Sequence, residues 1–591
     1  MSSIEVQGNF FLRLIEKWEA TRRRREFKGL WNTIFKVVAS TYSLFLISTA
    51  VTGVFPASFI RGLFILFITA MAFLQYPARK KSPISRASVI DIILIVIAIP
   101  TIINFCVNYD QMAWRIGEPT FGDIFWGIIA IGLTLEACRR TMSLILPCLA
   151  LFSLIYAYLG PYFPGLFGHQ GYSISIIVQD MYASMDGIFG FIAYIFGAYV
   201  VLFIIMGAFF EKIGAGTFFI DLPVALTSRF KGGAAKASVV ASTLFGMISG
   251  SATANTVTTG AFTIPLMKRV GYRPEVAGAI EPAASIGGMF MPPIMGAAAF
   301  IMAELMGIPY LEVVKVALVP ALLYFLSVLV MIHFEALKTG VDIPRKEDRI
   351  PALPIFLKGW YYAIPVLALL YFILTGRTPA LAGFYAIVSA GAIAIIKNVA
   401  NKDIKGVFSS IFEGLAEGGR KSIIVGCTAG PIGIIIAVAL LTGLAFKFSS
   451  LVLSFTYGLK WMALILVFLA TFVLGLGMTV TADYLILAVL AVPAMGEMGV
   501  PLLAAHFTAF WYSQSSNVTP PVCVAAFAGA GIAGGKPYAT GFNAMRFSAY
   551  LYVVPFLFVY TPILMTDGFS LQVLFCWISA VSYTHLRAHE T

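Results

Sequence analysis

The chain has 591 residues, of which 59% are hydrophobic and only 12% are charged. Soluble globular proteins are about half apolar and about a quarter charged, so this composition excludes an ordinary soluble domain and indicates a protein that lies mainly in lipid. The net charge of +12 comes from Lys and Arg in short loops, as the positive-inside bias requires, and gives no reason to expect a nucleic-acid partner. The six cysteines form no CxxC pair and lie mostly in apolar runs, which argues against a disulfide framework or a zinc site.

The first third of the chain predicts six membrane spans after a basic N-terminal segment. Residues 1–33 are charged, with Arg22 to Arg25 in a row. The apolar run that follows is long enough to span, so we expect a cytoplasmic N-terminus and no cleavable signal. Basic loops after alternate spans give the same orientation. The predicted spans are residues 34–54, 59–77, 88–108, 120–137, 141–159 and 187–210, with a Gly-, Pro- and aromatic-rich outer loop at 160–185.

A polar centre interrupts the next apolar segment, residues 237–270. Lys and Arg flank it on both sides, so both ends are predicted to face the cytoplasm, and the run Gly250–Thr256 between them is poorly helical. We therefore expect a re-entrant hairpin whose tip lies at mid-membrane, where protein or a water-filled cavity covers its backbone. A helix lying in the membrane interface is expected before it, at 213–230, and a helix broken by prolines after it, at 276–308.

The remaining elements follow the same pattern. The predictions are spans at 311–333, 355–375, 379–397 and 421–443, an interfacial stretch at 444–460, a second hairpin at 465–498 and a second broken helix at 504–536. Residues 581–591 are polar, hold two of the five His and resemble translated read-through of a sequencing adapter. We treat them as a non-native tail and exclude them from functional reasoning.

An internal repeat relates the two hairpin regions. A single shift aligns them without a gap, so that Pro292-Pro293 meets Pro520-Pro521 and Asn255 meets Asp483. Further matches are Thr253 with Thr481, Pro265 with Pro493, Ser285 with Ser513, Pro309 with Pro537 and Tyr310 with Tyr538. The predicted topology brings the first hairpin in from the cytoplasm and the second from outside. Inverted repeats with broken helices are typical of secondary transporters, whose site lies near the membrane midplane.

The paired prolines predict free backbone carbonyls inside the membrane. A proline has no N–H to bond the carbonyl four residues back, and its ring crowds that carbonyl. A free carbonyl in lipid is costly unless a partner satisfies it, and a desolvated cation is a natural partner. The structural breaks are Pro292, Pro293, Pro520 and Pro521, and the carbonyls predicted to be free are those of Gly288, Met289, Ser516 and Asn517. The alternative is that the prolines only kink packed helices.

Small polar residues at the hairpin tips supply further oxygens. The ion-binding candidates there are Ser249, Ser251, Thr253, Asn255, Gly477, Thr479, Thr481 and Asp483, with Thr519 beside the second break. Carboxylates within a membrane are costly and usually functional, which makes Asp483 and Glu281 candidates. The alternative for Glu281 is a hydrogen-bonded structural carboxylate at a helix start. The candidates for substrate contact are Thr256, Glu281, Ser285, Ser513 and Ser515.

Three segments resemble the membrane component of a tripartite ATP-independent periplasmic (TRAP) transporter. They are SGSATANTVTTGAFTIPLMKRVGY (249–272), EPAASIGGMFMPPIMGAAAF (281–300) and SSNVTPPVCVAAFAGAG (515–531). A single chain with a PPxMGAAAF block looks like the fused small/large permease of the TAXI-type branch. The resemblance divides the chain into a small-subunit-like four-span domain (34–140), a linking helix and outer loop (141–186), and a large-subunit-like transport and scaffold domain (187–580).

The resemblance implies an all-α polytopic membrane protein that works as an elevator in the bacterial or archaeal cytoplasmic (inner) membrane. It also implies a soluble periplasmic binding protein that delivers a small organic acid, and a coupling ion, Na⁺ or H⁺, with no other cofactor and no enzymatic activity. Met289 stands where this branch is expected to have Gln, so a side-chain contact at that position is not implied, whereas the backbone role is.

Three other functions fit the sequence less well. A stand-alone ion-coupled carboxylate symporter would share the inverted hairpins but not the extra N-terminal spans. A membrane-embedded enzyme lacks support, because the chain has no HExxH, no GxSxG and no paired His, and His506 is expected to pack or to form a hydrogen bond. An ATP-driven pump is disfavoured, because the run Gly414–Ser422 departs from the P-loop pattern with Arg where Lys belongs and is predicted to be a cytoplasmic interfacial helix.

Overall fold

The structure, a computed structural model, describes residues 24–564 except 54, 80–81, 143, 342–350 and 476–477, together with residue 579. Those residues form α-helices joined by short turns, with no strand among them. Eleven helices in this part of the chain are long and apolar enough to cross a membrane. The predicted all-α polytopic membrane fold is confirmed. Most of the N-terminal segment 1–33 and the whole tail 581–591 lie outside the described residues.

The chain divides into two compact units. The first consists of Met1–Ile205, Ile411–Lys447 and Gly477–Ala482, and the second of Met206–Ser410, Phe448–Leu476 and Asp483–Thr591. The first break falls after Ile205, whereas the predicted boundary lies between residues 186 and 187, and two later segments also belong to the first unit. The assignment of the parts to small- and large-subunit-like domains stays a prediction.

The N-terminal helices match the predicted spans to within a few residues, except at one place. They are α1 (Leu30–Thr52), α2 (Ala57–Gln75), α3 (Val89–Trp114), α4 (Phe121–Thr141), α5 (Ile145–Tyr158), α6 (Ile174–Ala183) and α7 (Phe191–Lys212). The exception is α6, which lies within the predicted outer loop. Ser173 caps its first turn by accepting from the amide of Ile176 (3.4 Å), and Ile177, Val178 and Met181 are buried. The Gly- and Pro-rich signal ends before this segment, so it did not exclude a helix there.

A buried ionic cluster lies in the first unit and links Arg25, α3 and α4. Both oxygens of Asp91 accept from guanidinium groups, one from Arg25 and one from Arg140, each at 2.5 Å. The three side chains are completely buried, and Arg25 also donates to the carbonyls of Phe73 and Leu74 (2.9 and 2.6 Å). Because a buried charge is tolerated only when it is paired and hydrogen-bonded, Asp91 is fixed in its ionised form.

The segment that contains the P-loop-like run is helical throughout. The helices here are α16 (Ile404–Gly426), α17 (Ala429–Leu441) and α18 (Leu444–Thr456), numbered after α14 (Ala352–Leu374) and α15 (Pro379–Ala400). Gly414–Ser422 lies inside α16, so it forms no phosphate-binding loop. The predicted span 421–443 is wrong in its start: α16 begins well before it, and a break at Cys427 and Thr428 separates α16 from α17.

Two similar sets of helices carry the predicted repeat. The first set is α8 (Ala215–Thr227), α9 (Gly233–Ser249), α10 (Ala252–Arg269), α11 (Pro274–Gly288), α12 (Gly296–Met306) and α13 (Tyr310–Lys338). The second is α18, α19 (Lys460–Leu474), α20 (Val480–Glu497), α21 (Leu502–Ser513), α22 (Val524–Ala533), and then α23 (Pro537–Phe547) and α24 (Tyr550–Tyr560), which together correspond to α13. The shift that aligns the two sequences also places both ends of α10 on the ends of α20. Each set contains a helical hairpin followed by a helix broken at the paired prolines.

Candidate functional site

A glycine turn forms the tip of the first hairpin. Helix α9 ends at Ser249, and Gly250 takes the left-handed conformation with φ 64° before α10 begins at Ala252. Few residues other than glycine adopt that backbone without strain. Ser251 caps α10 by accepting from the amide of Ala254 (3.3 Å). Ser249, Ser251 and Thr253, the predicted ion-binding residues of this tip, are all half-buried.

The hairpin touches the broken helix through glycines. A Cβ placed on Gly288, the last residue of α11, would lie 2.6 Å from the Cα of Gly246 in α9. A Cβ on Gly250 at the tip would lie 3.9 Å from the Cα of Gly296, where α12 begins. Side chains at Gly246 and Gly288 would force these backbones apart, so the glycines are what allow the hairpin to reach the proline break.

Asn255 joins the hairpin to α11. Its amide nitrogen donates to the carbonyl of Ser242 and to the hydroxyl of Ser285, both at 3.0 Å. Its side-chain oxygen is buried and has no hydrogen-bond partner among the described residues, and the same holds for the hydroxyl of Thr256. A buried oxygen without a donor is costly, and a cation would satisfy it. The structure thus brings the predicted residues Asn255 and Ser285 together.

The first break is held by a tyrosine that sequence reasoning missed. The Tyr310 hydroxyl lies 2.9 Å from the carbonyl oxygen of Pro293 and 2.8 Å from that of Ile294. The predicted free carbonyl of Gly288 accepts a long bond from the amide of Met291 (3.4 Å), so it is weakly bonded and not wholly free. The sequence signal was Gly-x-Pro-Tyr at 307–310, which recurs at 535–538 as Gly-Lys-Pro-Tyr.

The second hairpin approaches its own break at the matching place. A Cβ placed on Gly475, just after α19, would lie 2.5 Å from the Cβ of Ser516. Ser516, whose partner in the repeat is Gly288, lies in the short 3-10 turn Ser515–Asn517 that follows α21. The predicted site residue Gly477 lies outside the described residues. Both repeats therefore bring the end of the first hairpin arm against the residue where the broken helix stops.

Polar groups in the second break use backbone partners nearby. Ser516 and Asn517 donate to the carbonyls of Ser513 and Gln514, at 3.4 and 3.3 Å. The Thr519 hydroxyl lies 2.7 Å from the carbonyl of Ser515, and also 2.7 Å from the hydroxyl of Tyr552 in α24. The hydroxyl of Ser513 donates to the carbonyl of Phe510 (2.7 Å), one turn back in its own helix.

Several buried polar atoms near this break have no hydrogen-bond partner among the described residues. They include the hydroxyl of Ser515 and both polar atoms of the Gln514 side chain. Ser515 was a sequence candidate, whereas Gln514 was missed, although an amide side chain in an apolar helix was the available signal. Unpaired buried amides and hydroxyls are expected where a ligand completes the hydrogen bonding.

Asp483 is the predicted site residue whose carboxylate is buried in the second repeat. It lies in the first turn of α20 and is 1% exposed. Neither of its carboxylate oxygens has a hydrogen-bond partner among the described residues. Thr481 beside it is buried, and the hydroxyl of Thr479 caps the helix by accepting from the amide of Ala482 (3.3 Å). An unpaired carboxylate in this setting is suited to hold a cation.

Glu281 is fully buried in the middle of α11, not at a helix start. One of its oxygens accepts from Ser242 and Thr259, and the other from Ser238 and Thr263, the last at 2.5 Å. We call these five residues the hydroxyl cage. The carboxylate is hydrogen-bonded, as the alternative interpretation from sequence expected.

No group of three or more His, Cys, Asp or Glu in the described ranges is placed to hold a metal ion. A cation bound at the first break would be held by hydroxyl, amide and carbonyl oxygens.

Comparison with known proteins agrees with this architecture. A family described as "Tripartite ATP-independent periplasmic transporter, DctM component" matches residues 129–572. The C4-dicarboxylate TRAP transporter large permease protein DctM of Pseudomonas aeruginosa is 26% identical over 379 residues, covering 61% of this chain and 83% of that protein. YgiK of Salmonella typhimurium is 24% identical over 366 residues, covering 61% of this chain and 80% of that protein.

A further relative, the C4-dicarboxylate TRAP transporter large permease protein DctM of Vibrio cholerae, is 30% identical over 128 residues, which cover 22% of this chain and 27% of that protein. The family match alone covers well over half of the chain. This multi-pass membrane protein therefore belongs to the tripartite ATP-independent periplasmic transporter family as a DctM-component permease, and it is a transporter, not an enzyme.

Proposed function

We propose that this permease drives uptake of a small organic acid, delivered by a soluble periplasmic binding protein, with energy from an Na⁺ or H⁺ gradient. The transport domain that carries both hairpins moves as an elevator against a scaffold. The observation that carries the proposal is the repeated contact between a hairpin and a proline break, at Gly246 and Gly288 in one repeat and at Gly475 and Ser516 in the other.

The proposed coupling ions bind at these two contacts. Near the first lie oxygens of Asn255 and Thr256 that have no hydrogen-bond partner in the described part of the chain. The second repeat carries the carboxylate of Asp483, for which the same holds. A buried oxygen atom that has no donor in the described part of the chain is costly, and a desolvated cation would satisfy it. Asn255 and Asp483 occupy equivalent positions in the repeat, so the two proposed sites differ by one formal charge at that position.

The substrate is proposed to be an organic acid. The relatives from Pseudomonas aeruginosa and Vibrio cholerae carry names that specify C4-dicarboxylates, and short helices α12 and α22 begin directly after the breaks. The N-terminus of a helix carries a partial positive charge that favours an anionic group. The choice among acids is assigned to the binding protein that delivers the substrate.

The N-terminal helices support a fused permease. The family match begins at residue 129, so α1 to α3 lie outside it. We propose that they form a small-subunit-like part within the same chain, as in the TAXI-type branch. We also propose that the N-terminus lies in the cytoplasm, because the basic loops follow alternate spans.

Uptake into proteoliposomes tests the proposal. The purified permease is reconstituted, and uptake of a radiolabelled acid is measured with and without the cognate binding protein, under inward gradients of Na⁺, H⁺ or neither. We expect uptake only when the binding protein and one inward gradient are both present. Uptake that is equally fast without the binding protein would instead support a stand-alone symporter, and uptake without any gradient would contradict secondary transport.

A further inference from the structure

The hydroxyl cage surrounds one carboxyl group with side chains from two other helices. Ser238 and Ser242 lie on α9, and Thr259 and Thr263 lie on α10, so both arms of the first hairpin bond to Glu281 on α11. All five side chains are buried, with 0% exposure for all but Thr263, at 1%. A group enclosed so completely makes no direct contact with bulk solvent or with a substrate in this conformation.

No cationic side chain takes part in the cage. This sets Glu281 apart from Asp91, whose two oxygens are bonded to the guanidinium groups of Arg25 and Arg140. A guanidinium group can only donate, so it fits a carboxylate and does not fit a neutral acid. Asp91 therefore has one stable protonation state, whereas no described partner of Glu281 imposes the charged state through an opposite charge.

Charged and titratable groups on the helices packed against α11 point to other partners or lie at helix ends. Lys236 bonds His333 (3.3 Å), and Lys268 bonds the carbonyl of Ala533 (2.6 Å). Arg546 pairs with Glu335 (2.5 Å), Glu312 pairs with Lys315 (2.8 Å), and the Tyr324 hydroxyl bonds the carbonyl of Ala283 (2.7 Å). The groups in the end turns of their helices are Glu275, Arg269, Glu304 and Lys338. Helix α22 carries no charged residue. Among the described residues of these helices, none therefore supplies an opposite charge to Glu281.

Hydroxyl groups suit both protonation states of a carboxyl group. Each can rotate to donate to a carboxylate oxygen or to accept from a carboxylic acid. When Glu281 is ionised, all four hydroxyls donate to it. When a proton adds to one oxygen, the acid O–H donates and one hydroxyl turns to accept, so no buried polar atom loses its partner. The cage can therefore take up and release a proton without unfolding.

The cage exists in one repeat only. The residues that the repeat pairs with Thr259, Thr263 and Glu281 are Leu487, Ala491 and Ala509, all apolar. In α10, Gly260 leaves room for the carboxyl side chain, because a Cβ there would lie 3.1 Å from the Cγ of Glu281. The fold is preserved in the second repeat without the polar residues, so the hairpin does not need them in order to form.

Two residues, Ser242 and Thr259, connect the cage to the first break. The carbonyl of Ser242 accepts from the amide of Asn255, and the hydroxyl of Ser242 donates to Glu281. The Thr259 hydroxyl bonds Glu281 and lies 2.8 Å from the carbonyl of Asn255. A change in the bonding of Glu281 is therefore transmitted to Asn255, whose side-chain oxygen belongs to the proposed ion site.

We propose that the hydroxyl cage is a proton-binding site, with Glu281 as the acceptor, and that its occupancy controls the first hairpin during transport. The inference deepens the proposed function, since it names a residue for coupling to H⁺. It also assigns Glu281 to ion coupling in place of direct substrate contact. The paired positions of the second repeat form no such site, because Leu487, Ala491 and Ala509 stand there.

Infrared spectroscopy tests proton binding without any transport assay. The full-length protein in lipid is titrated from alkaline to acid pH, and the carbonyl stretch of a buried carboxylic acid is followed in H₂O and D₂O. We expect a band that grows as the pH falls, is lost in Glu281→Gln and is kept in the matched control Glu335→Gln, whose carboxylate is paired with Arg546. Thr263→Val keeps the carboxyl group but removes one donor to its ionised form, so it should move the midpoint to higher pH.

A titration without a band that depends on Glu281 would overturn the proposal and leave the cage as a structural cluster. Proteoliposomes then separate this result from a failure of the proposed function. Uptake driven by a proton gradient should be lost in Glu281→Gln and kept in Glu335→Gln. Uptake driven by H⁺ that persists in Glu281→Gln would contradict the role in coupling, whereas absence of gradient-driven uptake in the unmodified protein would contradict the proposed function itself.

Discussion

The carboxylate of Asp483 is buried and has no hydrogen-bond partner among the residues that the structure describes. Burial of such a group costs several kcal/mol unless it binds a cation or a proton. Its repeat partner Asn255 keeps an amide at the same position and uses it to bond Ser242 and Ser285. The amide of Asn255 thus fixes the hairpin to α11, whereas in the proposed function the carboxylate of Asp483 supplies the charge that binds the ion.

The first prediction concerns the ion titration of Asp483→Asn. A hydrogen bond or contact with a charged group contributes about 1.5–3 kcal/mol, which corresponds to about a ten- to hundredfold change in affinity. We expect the ion concentration for half-maximal uptake to rise by that factor in Asp483→Asn, and to rise less in Thr481→Ala. The control is Asp110→Asn, an exposed carboxylate near the end of α3. Unchanged curves for both site variants would remove these residues from the ion site.

The second prediction uses the two tyrosines that the repeat pairs. Tyr310 is buried and bonds two carbonyls at the first break, whereas Tyr538 is 59% exposed. Tyr310→Phe leaves those carbonyls without a donor and should lower the free energy of unfolding by about 1–3 kcal/mol. Tyr538→Phe should change it by less than about 0.5 kcal/mol. Thermal unfolding in detergent measures both, and equal effects would show that the tyrosine does not hold the break.

At the scale of single residues, the sequence predicted the polar side chains near the breaks but not their partners. Asn255 and Ser285 were both candidates, yet their contact depends on the packing of α10 against α11. Ser238 and Ser242 were missed, because small hydroxyl residues in an apolar helix give no distinctive signal. The cage depends on three helices meeting, and no spacing along one helix reveals that.

At the scale of the elements, the sequence predicted helix bounds well where the length of an apolar run determines them. Long apolar runs fixed the spans, and the paired prolines fixed the ends of α11 and the region after α21, since proline removes a donor. The short helix α6 was missed because so short a helix cannot be recognised by span length. The early start of α16 was missed because its first turns are polar on one face and lack the hydropathy of a span.

The third prediction tests the contact between the elements α9 and α11. Gly288→Ala would place a Cβ 2.6 Å from the Cα of Gly246, where neither backbone can yield without moving a helix. We expect a loss of about 1–3 kcal/mol in stability together with loss of uptake. The control is Gly391→Ala in α15, where a Cβ would meet nothing within 4 Å and where alanine favours the helix by up to about 1 kcal/mol. If both variants were equally stable and active, the glycine contact would not be required.

At the scale of the whole molecule, composition and apolar spans predicted a polytopic membrane protein. The internal repeat predicted the two similar sets of helices. The compact units could not be predicted, because the first unit gathers segments that lie far apart in the chain, Met1–Ile205 and Ile411–Lys447. The hydropathy pattern of one segment does not show which distant segment packs against it. The orientation of the two hairpins in the membrane stays a prediction.

The fourth prediction tests that orientation. Arg269 and Glu497 end the equivalent helices α10 and α20, and both are exposed. Each is replaced by Cys in a background where the exposed Cys148, and Cys576 outside the described residues, are changed to Ser. In intact cells, a membrane-impermeant maleimide should label Glu497→Cys, and it should label Arg269→Cys only after permeabilisation. Labelling of both from one side would contradict the inverted repeat.

The broken helices of the two repeats meet backbone to backbone. A Cβ placed on Gly529 in α22 would overlap the carbonyl oxygen of Gly278 in α11, and one on Gly278 would lie 2.9 Å from that of Gly529. A contact of this kind contains no flexible side chain that could absorb a displacement. A movement of one broken helix must therefore displace the other. If ions bind at both breaks, the dependence of uptake on ion concentration should be steeper than for a single site, with a Hill coefficient above one.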